Sequence, residues 1–109
     1  MKIQNNRNNS IFQYATLYGF NTIVDPEKRK KSLLRFCQDN KLLGTFLIAN
    51  EGINGTVSGQ PDNIENVIKF IKSWNEIKDI EIKYSNSSQN GFYRMKVKVK
   101  KEIVTMGIP

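Results

Sequence analysis

A chain of 109 residues, 39% of them hydrophobic and eleven aromatic, has room for one self-supporting domain and no second core. One cysteine and no histidine exclude an intrachain disulfide and Ser–His or Cys–His catalysis, and they remove the commonest metal ligand. No metal and no cofactor is therefore expected, and a reducing cytoplasm is the natural setting. A net charge of +7 favours a polyanion such as nucleic acid, while the lack of any membrane-length apolar run leaves no membrane partner.

In chain order, residues 1–10 are polar and Asn-rich and read as a disordered lead-in. Ile11–Tyr18 is aromatic and β-branched and predicts a first strand, with a connection over Gly19–Val24. Asp25-Pro26-Glu27 opens a helix: Asp as N-cap, Pro at the first helical position, Glu in the first turn. That helix should run to about Asn40, with Leu33, Leu34 and Cys37, and Phe36 as a further candidate, on its buried side. Gly44–Ala49 is a short apolar run that suits a central strand. Glu51-Gly52-Ile53-Asn54-Gly55 then carries the glycines and asparagine of a tight turn, with Thr56-Val57-Ser58 as a short returning strand. Pro61-Asp62 starts a second helix, in which Ile64, Val67, Ile68, Ile71 and Trp74 recur at three- and four-residue steps. Ile80, Ile82 and Tyr84 alternate with Glu81 and Lys83 as a fourth strand, followed by a polar loop over Ser85–Gly91. Tyr93–Lys100 alternates again, with Tyr93, Met95, Val97 and Val99 on one face and Arg94, Lys96, Lys98 and Lys100 on the other. Ile103–Thr105 is a candidate last strand.

The order β-α-β-β-α-β, with one or two strands added at the C-terminal end, predicts an α+β, ferredoxin-like split βαβ domain over residues 11–100. Two helices should cover one face of a mainly antiparallel sheet and leave the other face to solvent or a partner.

Two segments carry a family resemblance. Leu47–Gly59 reads LIANEGINGTVSG, and Lys101–Pro109 reads KEIVTMGIP. Both resemble the bacterial rhodanese-containing tRNA uridine hydroxylases, in which an EGINGT segment follows the second strand and a KEIVT segment leads toward the rhodanese-like domain. The likeness extends to the first strand, the helix start and the YRMKVKVK strand. Asn50 stands where that family usually has proline. The resemblance implies the N-terminal accessory domain of an enzyme that hydroxylates wobble uridine at carbon five with molecular oxygen. It further implies tRNA and a C-terminal rhodanese-like domain as partners, and residues 101–109 as the start of a linker to that domain. The essential cysteine of the family belongs to the rhodanese-like domain, so no catalytic residue is expected in these 109 residues.

Three groups of residues are candidate contacts. Glu51, Gly52, Asn54, Gly55 and Thr56 read as a loop whose backbone N–H groups suit an anion or as a plain hairpin turn, with Glu51 opposing an anion and suited instead to capping the turn or contacting the following domain. Arg94, Lys96, Lys98 and Lys100 place four cations on one side of one strand, suited to a phosphate backbone or to a solvated face. Lys28, Arg29, Lys30 and Lys31, with Arg35, put positive charge where the helix macrodipole opposes it, so helix stability does not explain them, and they suit a contact with RNA or a solvated face. With thirteen lysines against four arginines, lysine-rich composition alone is the competing account of the charge. Tyr93 and Phe92 are either stacking surfaces for bases or core residues. Cys37 sits with the apolar side of its helix and reads as a small core residue.

Two other functions share the topology. A stand-alone RNA-binding module of the RRM type is disfavoured because Thr56–Ser58 lacks the aromatic residues such modules stack on. An acylphosphatase-like enzyme is disfavoured because Tyr18–Val24 has no arginine.

Overall fold

The computed structural model describes residues 11–100, which form five strands and two helices. In order these are β1 (Phe12–Phe20), α1 (Pro26–Asp39), β2 (Leu43–Ala49), β3 (Gly52–Gly59), α2 (Pro61–Lys72), β4 (Glu81–Ser87) and β5 (Met95–Val99). The sheet order is β4-β1-β3-β2-β5. The first four strands pair antiparallel, and β5 joins the far edge parallel to β2. This is the expected ferredoxin-like arrangement with one strand added. The expected lead-in over residues 1–10, the strand at Ile103–Thr105 and the linker over residues 101–109 lie outside the described residues.

Period-two alternation divides each strand between two faces. Ala15, Leu17, Phe46, Ile48, Ile53, Val57 and Val97 point to one face and are at most 4% exposed. α1 packs on this face over β2 and β5, and α2 packs over β1 and β3. α1 contributes Leu33 and Cys37, while α2 contributes Ile64, Val67, Ile68 and Ile71, the face its periodicity predicts. Phe36 and Phe70 stack between the helices at 4.2 Å.

The helix ends follow local chemistry. Asp25 accepts a hydrogen bond from the Lys28 backbone N–H, with Pro26 behind it. α1 closes with Leu42 N–H to Cys37 C=O and Lys41 N–H to Gln38 C=O, while Lys41 adopts φ 56°. Buried Asn21 ties the end of β1 to the approach to β4: its amide donates to Asp79 C=O, and its oxygen accepts from Lys78 and Asp79 N–H.

Three local expectations are corrected. The turn is the pair Asn50-Glu51, and Gly52, Ile53, Asn54, Gly55 and Thr56 are strand residues with a complete ladder to β1 and β2. A Cβ on Gly55 would strike the Thr45 carbonyl and the Phe46 ring, and one on Gly52 would strike the Gly19 carbonyl. Both glycines also hold φ 156°, which side-chain-bearing residues rarely adopt. These glycines therefore serve close strand packing. Second, β4 runs on through Ser85–Ser87, because pairing with β1 continues to Phe12 despite the polar side chains. Third, β5 begins at Met95, and Tyr93 is 95% exposed, outside the core face on which alternation placed it.

Candidate functional site

Among the described residues no helix covers the face opposite α1 and α2, and its composition differs from the core face. Register aligns residues across it in rows. One row is Glu81, Tyr18, Asn54, Leu47 and Lys98; the next is Lys83, Thr16, Thr56, Thr45 and Lys96. At the centre, the hydroxyls of Thr16 and Thr56 share a 2.9 Å hydrogen bond.

The loop from β4 to β5 turns this face into a cup. It must cross from one edge of the sheet to the other, and it does so tied to residues of the open face. Tyr14 Oη donates to Gln89 C=O and accepts from Gly91 N–H. Ser58 Oγ donates to Asn90 Oδ1, which also accepts from Phe92 N–H. Phe92 packs against Tyr14 at 6.0 Å between ring centroids and forms one wall. The resulting cavity is about 530 Å³, with Thr16, Thr45, Thr56, Asn54 and Leu47 beneath it and Tyr18, Lys83 and Phe92 around it.

Lys96 and Lys98 share this face with Thr45 and Leu47, since Val97 between them is buried on the other side. Gly44 N–H to Arg94 C=O and Lys100 N–H to Ile48 C=O extend the ladder past both ends of β5, so exposed Arg94 and Lys100 prolong the same row. Lys28, Arg29, Lys30 and Lys31 are not brought to it. They belong to α1, in the layer on the opposite side of the sheet. Arg29 is engaged within the fold: it bonds Glu76 Oε1 at 2.6 Å and lies 4.7 Å over the Trp74 ring. The Arg29 hydrogen bond, against an opposing effect of burial and with smaller help from backbone hydrogen bonds and the Arg29 charge, holds the Glu76 carboxyl below the usual carboxylate range.

Glu51 is exposed at the Asn50-Glu51 turn and its carbonyl accepts from Asn21 N–H. Asn50 and Ile23 exchange two bonds, Ile23 N–H to Asn50 C=O at 2.8 Å and the Asn50 amide to Ile23 C=O at 2.9 Å. The asparagine thus secures the turn by hydrogen bonding. Cys37 is fully buried, and desolvation pushes its thiol up to about 12. It stays protonated at neutral pH and acts as core packing.

Sequence comparison fits this geometry. Residues 12–103 match the family described as the UPF0176 acylphosphatase-like domain. The chain belongs to that family. Among curated relatives of this acylphosphatase-like domain, the tRNA uridine(34) hydroxylase of Bartonella bacilliformis is 46% identical over 97 residues, covering 89% of this chain and 32% of that protein. The tRNA uridine(34) hydroxylase of Acaryochloris marina is 44% identical over 100 residues, covering 92% and 32%. The chain thus spans about a third of the length of these relatives. The fold is also that of acylphosphatase from Bacillus subtilis, with TM-score 0.62 at 14% identity over 79% of this chain and 97% of that one. Full-length HypF carries it as well, with TM-score 0.59 at 20% identity over 81% of this chain and 12% of that one.

The Lys96 and Lys98 row is legible from alternation alone. The cup is not, because Thr16, Tyr18, Thr45, Lys83 and Phe92 come together only through strand register and the crossing loop. Alternate residues of β1 facing away from the core were the available signal.

Proposed function

We propose that this domain grips substrate for an enzyme that hydroxylates uridine 34 of tRNA, with the open face of its sheet against the tRNA backbone. One observation carries the reading: β5 sets a row of lysines on the uncovered face of a domain whose relatives, 46% and 44% identical, are named tRNA uridine(34) hydroxylases. Lysine side chains there displace counterions from phosphates without reading sequence, which suits a grip on tRNA. The reaction itself, at carbon five with molecular oxygen, is assigned to the rhodanese-like domain that the KEIVT resemblance implies. A tRNA substrate puts this work in the cytoplasm.

Titration of labelled tRNA at low and moderate salt tests the reading. The Lys96→Glu, Lys98→Glu double variant should bind more weakly, and its salt dependence should flatten by roughly 0.7–0.9 log units for each phosphate it no longer neutralises. Unchanged affinity in the folded variant would favour a second reading, in which the domain mainly docks onto its catalytic partner. The observation behind that alternative is apolar exposure at the end toward which β5 runs, where Phe20 is 57% and Val24 79% exposed.

A further inference from the structure

We propose that the cup on the open face seats one unpaired nucleotide of single-stranded RNA. The base would lie against Phe92, Tyr18 and Leu47 with its polar edge on Asn54 and the threonines. This rests on the reading of the open face as an RNA surface, and it names what that surface binds.

The first argument is shape. An uncovered sheet is ordinarily a shallow saddle, yet here a cavity of about 530 Å³ stands over the centre of β1, β3 and β2. The wall that makes it concave is fixed by the bonds of Tyr14 and Ser58 to residues 89–91. A protruding base fits such a recess, whereas the smooth phosphate cylinder of a duplex does not enter it.

The second argument is hydrogen-bonding capacity. Thr16 and Thr56 share one hydrogen bond, which leaves one hydroxyl proton and several lone pairs for another molecule. The Thr45 hydroxyl and the Asn54 amide make no bond to any described residue. An amide offers a donor and an acceptor side by side, the complement of a base edge that presents the same pair reversed. Aromatic and aliphatic walls around such a floor provide a π-face and apolar contact for any base.

The third argument is charge. Lys83 and Glu81 line the cup on its β4 side, and Lys96 and Lys98 stand beyond its other side on β5, next to Thr45 and Leu47 of the floor. A strand crossing perpendicular to the β-strands meets a cation on entering and on leaving, as its phosphates require.

Fluorescence anisotropy with the 109-residue chain decides, using a short uridine-rich single-stranded RNA and a duplex containing the same strand. The single strand should bind more tightly. Asn54→Ala should weaken single-strand binding about tenfold, as removal of one bidentate bond to a base requires, with the salt slope unchanged because every cation remains in place. Phe92→Ala should weaken it by about the same factor. Circular dichroism checks that each variant folds. Wild-type affinity in both variants, or equal binding of the duplex, overturns the proposal. If only the Lys96→Glu, Lys98→Glu pair changes affinity, the electrostatic grip stands and the base-binding cup falls. If neither the single strand nor tRNA binds, both fall.

Discussion

The two faces of this sheet are made from the same five strands, yet they differ sharply in composition and burial. The helix-covered face carries Ala15, Leu17, Phe46, Ile48, Ile53, Val57 and Val97, almost wholly excluded from water. Alternating with them along the strands, the open face carries Thr16, Tyr18, Thr45, Leu47, Asn54, Thr56, Lys96 and Lys98. A threonine or asparagine costs the sheet little on a solvated face and would be penalised in the core, where its polar atoms would lack partners. The contrast puts the burial on one face and leaves the polar and cationic side chains of the other outside the core. Gly55 of the EGINGT segment fits the division, since it lies on the core face and makes room for the Phe46 ring.

The sharpest way to break this division is to cut into the core side. Phe46→Ala should cost about 3–5 kcal/mol, a large share of the stability of a domain this size. Urea melts measure it directly, and a change under about 1 kcal/mol would mean that the helix-covered face is not the seat of stability.

A smaller effect belongs to the clamp between α1 and the segment after α2. Arg29→Ala removes a bond to Glu76 and a stack on Trp74, both partly shielded, and should cost about 1–2 kcal/mol. Folding holds the Glu76 carboxyl below its ordinary range, chiefly through the Arg29 hydrogen bond. Its contribution is therefore fully present above the ordinary carboxylate range and is lost as pH falls through the lower, folded-state value. Wild type and Arg29→Ala should converge in stability on acidification, and parallel pH curves would remove the ion pair as the cause.

How far the sequence reveals this division depends on what each signal measures. Periodicity reports burial, so the apolar faces of α2 and β5 were readable from Ile64, Val67, Ile68, Ile71 and Val97. Composition reports turns less well. Glycine and asparagine mark tight backbone geometry of any kind, and at Gly52 and Gly55 the geometry is close strand packing, with the turn shifted to Asn50-Glu51. Hydrophobicity also misplaced Tyr93, which continues the β5 alternation yet lies beyond the strand and in solvent. The cationic row needed only alternation, but the cup needed the pairing of β1 with β3 and β4 and a loop whose path is set by Tyr14 and Ser58. Those are long-range relations that no local pattern encodes.

The smallest expected effect on stability is also the most telling for the open face. Lys96→Glu with Lys98→Glu should leave the stability within about 0.5 kcal/mol of wild type, the range for exposed positions without packing partners. Two opposing influences set that value. Glutamate has lower strand propensity than most residues, and two negative charges on one strand face repel each other as the two lysines did. Against this, each exchange lowers the positive charge of a +7 chain and relieves its overall self-repulsion. Neither influence involves burial, because both side chains stand on the face away from α1 and α2. A decrease above about 1 kcal/mol would show that the lysine stems pack against the open face, making that face part of what holds the domain together. A near-zero change combined with weaker tRNA binding would separate the two faces cleanly, one carrying stability and the other carrying recognition.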